Sequence, residues 1–458
     1  MASYAEKDYL CSGKRKYGMR IHLFKQSMHR CRALAAILPV GIFICVTLLF
    51  GATACSNKGT SVNVLHSLTE GNLAGEPIVL SSDSVKSIET QPGGECLKLD
   101  LSNIGRRTPA SEIYASYRFV PLETTGKSIV GQVEKILACD GCFCILDRQN
   151  ANVVLFEEDG RYRCRLGEKG HGAGEHVDAW DIAYDRENNQ LVLLDLSGRK
   201  LLRYDMHGKL QGVEPMYYLY SGLEFWKDHM ICHTGNAHNG FSDILDRCQL
   251  VIADRAQMPV AKGFQVSEEA RSQFTYATRL RNFLGETYFD DLLSDTIWSI
   301  RGTYKVPFAE VREKGKARFT HNERKHMTDR LYVERNEACL HAIAWHVTPR
   351  YVSLTVVDPS ADRHKQISNL VYSRKSGDYR CCSHGRKPQR LGDHLAGSSI
   401  DGICGEDAFI RIVEPMQLVS CLKSEEIRNI MSEEERGLAE SLSLDDNPIL
   451  MIEKLYDF

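Results

Sequence analysis

The chain carries almost no net charge. Its 57 lysines and arginines face 60 aspartates and glutamates, leaving −3 over 458 residues. So even a balance gives no overall pull toward nucleic acid. The usual catalytic signatures are missing too. There is no Gly-x-Ser-x-Gly elbow for an acyl-transfer nucleophile and no His-Glu-x-x-His pair for a zinc protease. What is present is ordinary. Hydrophobic residues make up 43% and charged residues 26%. Those fractions exclude wholesale disorder, a collagen-like fibre and a multi-span membrane protein.

A second shortage is local. Residues 33–57 hold no charge at all, between a head of +6 (residues 1–32) and a body of −9 (from Lys58 onward). A basic head, an apolar stretch and an acidic body describe an export signal and its passenger. The stretch ends in Gly51-Ala-Thr-Ala-Cys55. It resembles a bacterial lipobox: small residues flank the cut, and the Cys55 thiol carries the lipid. Ala52 departs from the usual Leu, which leaves cleavage without lipidation open. The alternative is a retained transmembrane helix, because Ala33 to Ala54 is long enough for a bilayer of roughly 20 residues' thickness. Either way the body is expected outside the cytoplasm, at the bacterial cell envelope, periplasmic or surface-exposed. Met28 would make a more typical start than Met1. The expected division is a head and signal or anchor at 1–54, a linker at 55–94 and a folded body at 95–458.

The body contains a repeat. Cys142 to Asp147 with Asn152 to Tyr162 matches Gln190 to Asp195 with Lys200 to Leu210 without gaps, at a period of 48. Asp147 aligns with Asp195, Phe156 with Tyr204 and Gly160 with Gly208. Each unit reads strand, Asp-led turn, strand, Gly turn, strand. Units of this length built from short strands suggest propeller blades, which stack radially because one such sheet cannot bury both faces alone. Phe143 and Ile145 should face one neighbour, Cys142, Cys144 and Leu146 the other. Weaker copies follow at 229–254, 287–300, 339–358 and 407–455. The expectation is an all-β, six-bladed β-propeller, with seven blades as the alternative. The strand at Glu95 to Leu101 could pair with the C-terminal strand and close the ring. Ser267 to Leu284 and Ser424 to Leu442 read as two short inserted helices.

At this point the chain resembles the six-bladed β-propeller lipoproteins of bacteria, with NHL-like or TolB-like blades. Phe119-Val-Pro-Leu-Glu-Thr-Thr125 resembles the family's opening segment, and Gly131 to Ile136 leads into its first blade. Leu166 to Glu175 is similar to its glycine-rich interblade turn, followed by Asp181-Ile-Ala-Tyr-Asp185. Asp445-Asp-Asn-Pro-Ile-Leu450 resembles its closing strand. Ala173 stands where Pro is common, and His176 where an aromatic is usual. The resemblance implies architecture and address but no reaction and no cofactor.

Candidate chemistry is sparse. The Gly167 to Gly174 run has no Gly-Lys-Ser/Thr ending and precedes a strand, so it reads as a turn rather than a phosphate loop. Cys139-Asp-Gly-Cys142-Phe-Cys144 lacks a second ligand pair for zinc. It reads as a hairpin, with a Cys139–Cys142 bond across the turn left open. Twelve cysteines follow Cys55, an even number that permits disulfides without forming a regular framework. His233, His238, His321 and His326 read as surface residues. Asp290-Asp291 and Asp445-Asp446 are adjacent, a poor spacing for acid–base work. The basic run Arg380 to Arg390 reads as a solvated loop. The first functional expectation is therefore a lipid-anchored binding or interaction scaffold, with an envelope protein or glycan as partner and no nucleic acid. The alternative is a metal-dependent hydrolase or lyase with its site in the central channel. Asp147, Asp195, Asp254 and Asp358 recur at similar blade positions and are the candidate ligands, or else turn caps.

Overall fold

The two sequence repeats fold as neighbouring four-stranded antiparallel sheets. The structure is a computed structural model. It describes residues 62–65, 78–94, 96–101, 107–234, 239, 242–266, 280–290, 296–312, 341–358, 366–383, 388–396 and 399–458. Blade 1 runs Lys135–Cys139, Cys142–Asp147, Asn152–Glu157 and Tyr162–Arg165; blade 2 runs Asp181–Asp185, Gln190–Asp195, Lys200–Asp205 and Leu210–Pro215. The aligned residues play matched parts. Asp147 accepts hydrogen bonds from Gly131 N (2.6 Å) and Asn150 N (3.2 Å). Asp195 accepts from Val177 N (2.9 Å) and Gly198 N (2.8 Å). Each carboxylate thus ties the segment entering its blade to the turn after its second strand. Gly160 and Gly208 both adopt the left-handed conformation, at φ +89 and +79. At Gly160 a Cβ would also lie 2.1 Å from the Pro121 carbonyl.

Four further sheets complete a ring of six. Their first strands are Gly222–Trp226, Leu280–Phe283, His341–Val347 and Gly402–Cys404 for blades 3 to 6. Six apolar clusters lie between consecutive blades. Phe143 and Ile145 pack toward blade 6, whereas Cys142, Cys144 and Leu146 pack toward blade 2. The alternation of the strand therefore splits between two interfaces, as the radial stack requires. Each interface removes a dozen or so apolar side chains from water, at roughly 1.5–3 kcal/mol for each large one.

Ring closure differs from the sequence expectation. Leu97–Asp100 is a strand, but it pairs in parallel with Ala309–Arg312 on blade 4. The outer strand of blade 6 is instead Tyr114–Pro121, antiparallel to Ile449–Leu455. The opening and closing motifs meet there. Asn447 Oδ1 accepts from Val130 N (2.8 Å), and its Nδ2 donates to the carbonyls of Glu123 (2.9 Å) and Ser128 (2.8 Å). Before reaching blade 6 the chain runs along three outer edges. Lys86–Ser87, Glu89–Thr90, Leu97–Asp100 and Arg107–Thr108 add parallel strands to blades 3, 4, 4 and 5. Covering an edge strand removes unpaired backbone groups that invite association.

The helices are also partly relocated. Within Ser267 to Leu284, Leu280–Phe283 is the inner strand of blade 4, and 267–279 lies outside the described residues. The helix start is a local signal. The buried ends Leu280 and Phe283 follow the interblade packing instead. Four short α-helices are found among the described residues: α1 (Leu391–Leu395), α2 (Pro415–Cys421), α3 (Glu425–Arg428) and α4 (Glu433–Ser441). The helix expected over 424–442 is thus the pair α3 and α4. A capping box starts α4: Ser432 Oγ accepts from Glu435 N (3.1 Å) and Glu435 accepts from Ser432 N (2.7 Å). Tyr117 on the closing strand donates to Glu435 (2.7 Å). The stretch 33–54 lies outside the described residues; among those described, no helix is long and apolar enough to cross a membrane.

A fully buried ion pair sits at the closure. Arg411 on the second strand of blade 6 pairs with Glu453 on the third and donates to the Tyr114 hydroxyl (2.8 Å) on the fourth. Arg411→Met alone should therefore cost about 3–5 kcal/mol, because Glu453 would remain buried and unpaired. The double variant Arg411→Met/Glu453→Met should recover most of that loss. Chemical denaturation checks both; equal loss in the single and double variants would contradict the pairing.

Candidate functional site: an axial ring of ionisable side chains

Each blade sends its first strand to the ring axis, and those strands are mostly apolar. Lys-Ile-Leu-Ala, Asp-Ile-Ala-Tyr, Leu-Glu-Phe-Trp and Leu-Arg-Asn-Phe, beginning at residues 135, 181, 223 and 280, each contain one or two polar residues. A cavity of about 170 Å³ lies among them. Every blade contributes at least one ionisable residue to its lining: Lys135, Asp181, Glu224, Arg281, His346 and Asp401.

Blades 1, 2 and 3 are joined by a single ammonium. Lys135 Nζ lies 2.9 Å from Asp181 Oδ1 and 2.8 Å from Glu224 Oε1. Asp181 Oδ2 also accepts from Leu223 N (3.0 Å). The side chains of Asp181 and Glu224 are only 4% and 2% exposed. Such carboxylates need a counter-charge and hydrogen bonds to stay buried. Burial alone would lower the Lys135 ammonium, but the two carboxylates outweigh it and hold it above the usual lysine range. Burial pushes the Glu224 carboxyl up to about 7, against the pull of Lys135.

Burial dominates the other half of the ring. Burial, helped by the Arg281 guanidinium, drives His346 well below the usual histidine range. Asp401 is pushed up to about 6, chiefly by burial, although it accepts from Ile412 N (2.8 Å). Near the ring, Arg148 stacks 4.6 Å over Trp180, donates to its carbonyl (2.9 Å) and pairs with Glu134 (3.5 Å).

A family model for a domain of unknown function, DUF4934, matches residues 98–454. The chain belongs to the DUF4934 family. No curated protein matches it significantly. A Bacteroides fragilis protein described as exported is similar in structure, at 14% identity and TM-score 0.65, over 79% of this chain and 100% of its own. A DUF4221 member from Bacteroides vulgatus is more distant (9% identity, TM-score 0.43, 75% and 98% covered). BamB from Moraxella catarrhalis is more distant still (8%, TM-score 0.35, 73% and 99%). At 14% identity the likeness to the Bacteroides fragilis protein is one of fold.

In this DUF4934 chain Asp147, Asp195 and Asp254 are not among the residues that line the axial cavity. Asp147 and Asp195 cap turns as above, and Asp254 accepts from Ala256 N (2.9 Å) and Met258 N (2.8 Å). The side chain of Asp358 lies outside the described residues. Among the described residues, no three His, Cys, Asp or Glu side chains cluster to hold a metal ion. The Gly167 run is an interblade turn, with Gly167 at φ +65. Cys139 and Cys142 are free thiols facing each other across the Asp140-Gly141 turn. His233 is a correction: it is buried, 5.6 Å from the Phe289 ring, because it ends the second strand of blade 3. His238, His321, His326 and Asp291 lie outside the described residues. Asp446 accepts from Ser443 N (2.7 Å) as a turn cap. Arg380 stacks 4.1 Å over Phe458, and Arg390 donates to the Tyr114 carbonyl (2.8 Å), so both ends of that basic run are structural.

The axial ring was not singled out from sequence. Its local mark is an ionisable side chain in or beside a short, mostly apolar strand, about one blade apart each time. The pH dependence should expose it. The Glu224 carboxyl is raised from its ordinary 4.5 to about 7. Its protonation therefore stabilises the fold fully below about pH 4.5, and this contribution is lost as pH rises through 7. Glu224→Gln should flatten the fall in melting temperature over that window; an unchanged profile would contradict a buried Glu224.

Proposed function

We propose that this DUF4934 chain is an exported, lipid-anchored propeller of the bacterial cell envelope that binds a ligand or partner rather than transforming one. The observation that carries the reading is the axial ring. Its carboxylates are engaged by Lys135 or by backbone N–H groups. Such groups are positioned to hold a molecule, and none forms a nucleophile–base pair. A rigid ring with a polar residue from every blade also suits recognition, since the side chains are fixed before a ligand arrives.

The address rests on separate support. The charge layout of residues 1–57 is that of an export signal, and Cys55 follows four small or β-branched residues. The similar Bacteroides fragilis protein is described as exported. NHL-like or TolB-like blades are consistent with the 48-residue repeat.

Two measurements test the proposal. Metabolic labelling with an alkynyl fatty acid should mark the protein expressed from the full sequence and be abolished by Cys55→Ser; an unlabelled chain in the membrane fraction would replace the lipid with a helical anchor. Crosslinking from native membranes should recover a reproducible partner or glycan that Arg281→Glu reduces several-fold. Recovery of nothing reproducible would refute a binding role.

A further inference from the structure

Four cysteines gather in blade 1 at its interface with blade 2: Cys139, Cys142, Cys144 and Cys164. Buried cysteines commonly pack as small hydrophobes, without further chemistry. The placement of Cys139 and Cys142 gives that pair a reaction as well. Cys139 ends the inner strand and Cys142 begins the second, with only Asp140 and Gly141 between them. Gly141 makes the tight turn at φ +76.

Cys139 and Cys142 are register partners. Such partners point to the same face, with Cα atoms about 4.5–5.5 Å apart. A disulfide needs roughly 4.4–6.8 Å. The other two cysteines of the blade are less well placed. Cys144 opposes Leu137 rather than Cys139. It also lies two positions beyond Cys142 on the same strand, where parallel side chains stand about 6.6 Å apart. Bonded Cβ atoms lie roughly 3.5–4.5 Å apart. Cys164 lies beyond the third strand, two strand spacings or about 9.5 Å from the strand of Cys142 and Cys144. Among the described residues, no other two cysteines are register partners.

The two thiols differ in their electrostatics. The neighbouring Cys139 thiol lowers that of Cys142 against the effect of burial, and the Arg163 guanidinium adds to this. Cys142 in turn pushes the Cys139 thiol up. A thiolate is the attacking form in disulfide exchange, so Cys142 reacts first. Both influences come from blade 1 itself. In the complete ring the two residues are only 8% and 1% exposed. The reaction therefore belongs to blade 1 before blade 2 covers it. The hairpin is local and closes early, at little loop-closure cost. Afterwards Arg186 of blade 2 lies beside the turn, 3.7 Å from Asp140, and the bond is shielded from reductants.

We propose that Cys139 and Cys142 are a disulfide-forming pair that closes the first hairpin of blade 1. The oxidant is a disulfide, of a protein or of a small thiol, met outside the cytoplasm. Cys142 attacks it to form a mixed disulfide, and one thiol is released. Cys139 then attacks the Cys142 sulfur, and the second thiol leaves. Two electrons pass to the oxidant, and the two cysteine protons go to the two released thiols. The bond ties the strand that carries Lys135 to its neighbour. The source of the oxidant rests on the exported address proposed above, whereas the pairing rests on the register.

The test refolds the full-length protein in a glutathione and glutathione disulfide buffer, quenches it by alkylation and maps it by mass spectrometry. Cleavage before Asp140 and after Phe143 puts Cys139, Cys142 and Cys144 on three different fragments. The Cys139 and Cys142 fragments should stay joined until reduced, at a mass two hydrogens below the sum of the parts. Cys142→Ser should abolish the joined species and leave Cys139 alkylated, whereas Cys144→Ser should leave it unchanged. Absence of the joined species in wild type, or joining of either residue mainly to another cysteine, would overturn the proposal. That result is read on wild type, so a variant that fails to fold does not affect it. The same mapping after alkylation in living cells separates the pair from the address. A bonded pair there supports both. Thiols that stay reduced in cells but bond in the glutathione buffer uphold the pairing and count against the exported address.

Discussion

One ammonium, Lys135, sits between two buried carboxylates drawn from the next two blades. Around that contact the centre of the molecule is organised. Asp181 and Glu224 would each cost several kcal/mol to bury as isolated ions. With Lys135 between them at 2.8–2.9 Å, three consecutive inner strands are pinned at one height along the axis. Asp181 adds a bond to the backbone of blade 3, so the pin holds both side chain and strand. The charge that another channel could take from a bound ion is here supplied by the chain itself.

The axis exists only because the ring closes. Closure joins residues more than 300 positions apart: Tyr114–Pro121 lies on Ile449–Leu455, and Asn447 binds the Glu123–Val130 segment. The Arg411–Glu453–Tyr114 network seals the same blade from within. Outside, the strap from Lys86 to Thr108 covers the edges of blades 3 to 5. The fold is thus held by three layers of non-local contact, at the axis, between blades and along the rim.

Much of this architecture was legible in the sequence. The 48-residue match set the blade unit, and the alternation in Cys142 to Leu146 correctly divided its side chains between two interfaces. Asp147 and Asp195 aligned because they do the same work in two blades. What local pattern could not decide was partnership. Leu97 to Leu101 alternates cleanly and Leu97–Asp100 is a strand, yet nothing in it says that blade 4 rather than the C-terminal strand receives it. His233 looked loop-like in Cys-His-Thr-Gly-Asn but closes a buried strand. The axial residues were hidden for a related reason. They come one per blade, so no short spacing joins Lys135 to Asp181, Glu224 and His346. Only the closed ring makes them neighbours.

The most direct test of the account is the metal content of the full chain, purified without chelator and measured by elemental mass spectrometry. A channel whose Asp181 and Glu224 carboxylates are bridged by Lys135 should carry far less than one equivalent of any divalent ion. One tightly held equivalent of calcium or zinc, removed by Asp181→Asn or Glu224→Gln, would contradict it and return the axis to metal chemistry.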